Sequence, residues 1–78
     1  MMRLDLFLKK SRIIKRRTIA AEMAKSGRIK KDGGSLKPGH EIKVNDEIEI
    51  AFGNRVMRIK VTDTTSNPEY EVISEIKL

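Results

Sequence analysis

Arginine and lysine dominate the chemistry this 78-residue chain can offer. Arg3, Lys9, Lys10, Arg12, Lys15, Arg16, Arg17, Arg28, Lys30 and Lys31, together with Lys25, place 11 of the 17 bases in the first 31 residues, which hold only two acids, Asp5 and Glu22. That segment carries +9, and the remaining 47 residues carry −3. Packed side by side, such residues fall within one Debye length, about 8 Å at physiological salt, and repel one another until an anion arrives. A polyanion is the natural partner of so concentrated a field, which reads as an RNA-binding module. Arg3 and Arg17 are the foremost candidates, because guanidinium binds phosphate through two parallel donors and also stacks on bases. Scattered over the surface, the same surplus would mean no more than solubility; here it is clustered.

Other chemistries find little support. The chain has one histidine and no cysteine, which leaves few groups for acid–base or nucleophilic work and no thiolate for a metal or disulfide. His40 follows Pro38-Gly39 in a loop and reads as a surface histidine. Asp46, Glu47 and Glu49 follow the alternation of a strand and read as a solvated face, not a cation site. Gly33-Gly34 lacks the Lys-Ser/Thr pair and helix that a phosphate cradle requires. No catalytic residue, metal site or cofactor is therefore expected. Phe7, Phe52 and Tyr70 are the only aromatics and read as packing residues, so recognition should depend on RNA shape and phosphate. No apolar run approaches the roughly 20 residues of a membrane span, and no signal-peptide pattern follows the basic start; the cytoplasm is the expected location. A protein-interaction module using an exposed sheet edge is the alternative class, and it would retain its partner after Arg17→Glu.

The elements that must hold these bases can be read from periodicity. Leu4, Phe7 and Leu8 at helical spacing predict a helix over about Arg3 to Lys10, with Asp5 near its positive end. Ile19, Ala20, Met23 and Ala24 predict a second from about Arg17 to Ser26, ended by Gly27 in the left-handed cap position. Past Gly27 the period changes. Arg28 to Lys31 is extended, Asp32-Gly33-Gly34 is a turn, and Ile42 and Val44 alternate with charges before Asn45-Asp46. Glu47 to Phe52 and Arg55 to Val61 make an antiparallel hairpin across Gly53-Asn54, and Tyr70 to Ile76 is a last strand, with Tyr70, Val72 and Ser74 on one face. The expected fold is α+β, two short basic helices packed on a small, mostly antiparallel sheet. Its expected core is Leu4, Phe7, Leu8, Ile14, Ile19, Ala20, Met23, Ile29, Val44, Ile48, Ile50, Val61 and Val72. With 78 residues, one domain over 1–78 and a monomer are expected.

A resemblance joins these pieces. Arg3-Leu4-Asp5-x-Phe7-Leu8, then Arg17-x-x-Ala20, Gly27-x-Ile29 and Lys31-Asp32-Gly33, resemble the RNA-binding domain named after small-subunit ribosomal protein S-four, whose core is the αL motif. The likeness covers residues 3–50, leaving 51–78 as additional strands completing the sheet. Within that family the chain is most similar to small stand-alone members, the heat-shock-fifteen-like and ribosome-associated quality-control proteins. The resemblance implies a non-catalytic protein that binds rRNA and tRNA on the large ribosomal subunit still carrying peptidyl-tRNA after stalling. It would assist alanine tailing of the trapped chain beside a tailing factor. A generic rRNA- or tRNA-binding assembly factor shares the same chemistry. The resemblance also places Arg3 and Arg17 on RNA and makes Asp5 the acid that orders the first helix. Two positions depart from the family pattern: Arg16 stands where Ser is usual, and Lys31 replaces a Val before the turn.

Overall fold

The computed structural model describes residues 2–78. Its elements run β1 (Met2–Arg3), α1 (Leu4–Lys10), α2 (Arg17–Lys25), β2 (Ile29–Lys31), β3 (Gly34–Ser35), β4 (Glu41–Ile42), β5 (Glu47–Ala51), β6 (Arg55–Asp63) and β7 (Glu69–Lys77). Five strands form an antiparallel sheet in the order β3-β2-β5-β6-β7, while β1 and β4 pair separately, Met2 opposite Ile42 and Arg3 opposite Glu41. This is the α+β arrangement the sequence predicts.

Each helix is bounded by identifiable contacts. The first two N–H groups of α1 donate to loop carbonyls, Leu4 to His40 at 2.8 Å and Asp5 to Pro38 at 3.1 Å, which satisfies donors that have no partner within a helix. Beyond Ser11, the α1 cap, Arg12 takes a left-handed backbone with φ of 67°, and the Ile14 N–H reaches back to the Leu8 carbonyl at 3.1 Å. At the end of α2, Gly27 has φ of 80°. Its N–H donates to Ala24 and that of Arg28 to Met23, the paired bonds of a Schellman cap. A side chain at Gly27 would be strained by φ and would also meet Ser35 Oγ at 3.4 Å. Asp32 and Gly33, both at positive φ, turn β2 into β3 in the geometry favoured for tight hairpins.

One apolar cluster joins helices and sheet. Leu4, Phe7, Leu8 and Ile14 meet Ile29, Leu36, Ile42, Ile48, Ile50, Met57, Ile59 and Val61, with Ala20 and Ala24 as the contribution of α2. Burying each of the larger side chains contributes about 1.5–3 kcal/mol. The two alanines leave little bulk between α1 and α2, so the helices can approach closely.

Three expected core residues lie outside. Ile19 sits on the flank of the Ala20–Ala24 stripe and is 43% exposed. Val44 is 48% exposed because β4 ends at Ile42 and residues 43–46 form a turn, with Asn45 at φ of 78° and the Asp46 N–H on the Lys43 carbonyl. Val72 is 54% exposed on the outermost strand. Met23 is only partly buried, whereas Ala24, Leu36, Ile42, Met57 and Ile59, absent from the expected set, are buried. In β7 the register shifts, with Val72 opposite the buried Ile59 but Ser74 opposite the exposed Arg58. Ile73 is thus the extra residue of a bulge, and Val72 and Ser74 fall on opposite faces, contrary to strict alternation.

Candidate nucleic-acid interface

Asp5 is the one buried charged residue among the described residues. Its position one residue after Leu4 places it beside the apolar stripe of α1, where an isolated carboxylate would be costly. Three donors compensate. Leu6 N–H donates to Oδ1 at 2.8 Å, and Arg3 donates from Nε to Oδ1 and from Nη2 to Oδ2, both at 3.3 Å. Arg17 Nε stands 3.4 Å from Oδ2 in an ion pair. Burial alone would raise the Asp5 pKa, but the Arg3 and Arg17 guanidinium groups and the Leu6 N–H together outweigh it and hold the carboxyl below its ordinary value. The carboxylate therefore stays ionised and ties the start of α1 to the start of α2.

The two arginines keep their outer faces in water, with side-chain exposures of 55% for Arg3 and 46% for Arg17. Arg3 also rests on Gly39, where an added Cβ would come 3.6 Å from its Nη2. A pair of guanidinium groups held this way has lost part of its rotamer freedom before any ligand arrives, which lowers the cost of binding. Sequence reasoning placed both arginines on RNA but assigned Asp5 only to helix order. The signal available was an acid flanked by Leu4 and Leu6 in an apolar helix, two residues from an arginine.

The bases between the helices surround this pair in the chain. Lys9 and Lys10 occupy the last turn of α1, where positive charge is favoured by the helix dipole. Arg12, Lys15 and Arg16 lie exposed in the link. Arg16 is the N-cap of α2 yet makes no side-chain capping bond, and no acid stands in the first turn. The first N–H groups of that helix thus have no intrahelical acceptor and carry its positive end, beside Arg16 and Arg17. Arg28 is exposed just past Gly27, its backbone fixed by bonds to Met23 and Ala51.

Lys30 and Lys31 are placed differently. Lys30 lies opposite Glu49 across β2 and β5, and Lys31 Nζ donates to Asp46 Oδ1 at 3.0 Å. Burial acts to raise the Asp46 pKa, but the Lys43 N–H and Lys31 outweigh it and lower the value. Both lysines line a cleft of about 330 Å³ that also contains Asp32, Glu47 and Arg58, with Arg58 paired to Glu47 at 3.3 Å. The structure thus sets these two bases among carboxylates, whereas Arg3 and Arg17 are brought together facing solvent. Among the described residues no group of three or more His, Cys, Asp or Glu side chains could hold a metal ion, and no helix is long and apolar enough to cross a membrane.

Helices joined by a basic link, with two arginines held outward by a buried acid above a small sheet, define a nucleic-acid-binding domain of the S4 class, and residues 2–48 match the S4 domain. The fold is shared with Heat Shock Protein 15 of Vibrio cholerae, at a TM-score of 0.83 and 21% identity over 94% of this chain and 82% of that one. Much nearer in sequence are proteins named RQC P-site tRNA stabilizing factor. That of Streptococcus pneumoniae is 49% identical over 99% of this chain and 96% of its own length, and that of Bacillus subtilis 43% identical over 99% and 98%. The counterpart in Listeria monocytogenes is 44% identical over 96% and 82%. The chain belongs to the family of RQC P-site tRNA stabilizing factors.

Proposed function

We propose that this chain is a non-catalytic RNA-binding protein of the cytoplasm, acting in quality control of stalled translation. It binds rRNA and P-site tRNA on the large ribosomal subunit that still carries peptidyl-tRNA, beside a factor that adds the alanine tail. The observation that carries this reading is the Arg3–Asp5–Arg17 bridge, two half-exposed guanidinium groups held by one buried carboxylate, taken together with the name borne by the relatives. Arg12, Lys15, Arg16 and the open start of α2 extend the contact along the backbone of the RNA. Arg28, Lys9 and Lys10 supply further charge, while Lys30 and Lys31, with carboxylates beside them, contribute less. Residues 3–50 form the RNA-binding αL motif and 51–78 complete the sheet under it, in a protein that acts as a monomer.

Recognition of this kind reads shape and phosphate. Five phosphate contacts correspond to a log–log salt slope of about −4 on duplex-like RNA. Sedimentation of the tagged protein from its own cells through a sucrose gradient tests the assignment. The expected result is enrichment with free large subunits bearing peptidyl-tRNA. Migration with small subunits, with free tRNA or at the top of the gradient would contradict it and leave a general rRNA- or tRNA-binding role.

A further inference from the structure

Strand β7 is the outermost strand of the five-stranded sheet, paired only with β6, and at nine residues it presents roughly 30 Å of unpaired backbone. Edges of this length are ordinarily protected by lysines, prolines or a covering element. Here the strand carries the bulge at Ile73, three glutamates and a single lysine, Lys77, with no proline within it, while Val72, Ile73 and Ile76 are 46–60% exposed.

Its charges are opposite in sign to those of the helices. Glu69, Glu71 and Glu75 outnumber Lys77. Glu75 is engaged by Arg55 at 3.6 Å, and Glu71 lies across from Lys60, but Glu69 lies across from another acid, Asp63. At this acidic end a cleft of about 560 Å³ opens, lined by Ser11, Thr62, Glu69, Glu71 and the half-buried Tyr70. Carboxylates beside an aromatic ring fit the head and stem of a lysine or arginine side chain.

We propose that the β7 edge receives an extended, lysine- or arginine-rich segment of a protein partner, which adds as a sixth strand and places one basic side chain in the Tyr70 cleft. Main-chain hydrogen bonds would supply affinity, and alternate side chains would meet Val72 and the carboxylates. RNA is repelled by this acidic strand. A second copy of the chain is the competing occupant: antiparallel self-pairing centred on Ile73 sets Glu71 against Glu75 twice, a repulsion, and Glu69 against Lys77 twice, an attraction, so charge does not select it as it selects a basic segment. The inference does not depend on which RNA the helices hold.

The test uses the full-length protein and a short peptide alternating lysine with valine, with an uncharged serine–valine peptide as control. Saturable binding of the lysine peptide alone is expected, together with slowed hydrogen exchange at the β7 amides. The double variant Glu69→Gln, Glu71→Gln should bind it roughly tenfold more weakly while staying folded and losing no tRNA affinity. Absence of saturable binding, protection confined to other strands, equal binding by the double variant, or occupation of the edge by a second copy in sedimentation would each overturn the proposal.

Discussion

Asp5 Oδ2 lies 3.4 Å from Arg17 Nε, so a carboxylate in the first turn of α1 holds an arginine in the first turn of α2. The same carboxylate accepts two bonds from Arg3. Orientation of the two guanidinium groups is thus a property of the folded protein.

Arg17→Ala is expected to weaken RNA binding by about 1–3 kcal/mol through loss of a charge-assisted phosphate contact. It also removes one partner of a buried acid, so a drop in stability of about 1 kcal/mol should accompany it, modest because the arginine is half in solvent. Filter binding and thermal melts on the same preparation separate the two. Unchanged affinity would remove Arg17 from the interface.

Arg12 adopts φ of 67°, a conformation that costs a residue bearing a Cβ about 1–2 kcal/mol and costs glycine nothing comparable. Arg12→Gly should therefore raise the melting temperature, or at worst leave it unchanged, while weakening RNA binding. An affinity equal to wild type would show that arginine at this bend serves no binding role.

The pH dependence has a definite sign. Asp5 and Asp46 both have folded pKa values below their ordinary ones. Their contribution to stability is fully present above the unfolded value of about 3.9 and is lost as pH falls through the folded values. Melting temperatures measured downward from neutral pH should hold until about pH 4 and then fall. The acid limb of Asp5→Asn should be shallower than that of wild type. Parallel acid limbs would mean that Asp5 contributes nothing to the effect.

Much of this arrangement was legible in the residues. Leu4, Phe7 and Leu8 gave the first helix its face, Gly27 its neighbour's end, and Asp32-Gly33 the hairpin, because helical periodicity and positive-φ turns are local properties. The clustering of bases and the choice of Arg3 and Arg17 came from composition and from the αL resemblance. Non-local features were not legible. Val44 continues an alternating pattern and becomes exposed only because the 43–46 turn closes against Val61, whose carbonyl accepts the Asn45 N–H. Val72 alternates correctly but lies at the sheet edge. The bulge at Ile73 depends on what β6 presents to it. Lys31 counted as one more base until the fold set Asp46 3.0 Å from its Nζ, and the joining of Arg3 to Arg17 through Asp5 required the packing of two helices.

On the proposed reading Asp5 serves RNA binding by positioning Arg3 and Arg17, and the decisive measurement is the RNA affinity of Asp5→Asn. The substitution raises the net charge from +6 by one unit, so general electrostatics alone would tighten binding. Positioning works in the other direction: with the Arg3 and Arg17 side chains released, affinity for large subunits bearing peptidyl-tRNA should fall several-fold under conditions where the variant is shown to be folded. Binding by folded Asp5→Asn as tight as wild type, or tighter, would show that Asp5 does not position the arginines for RNA.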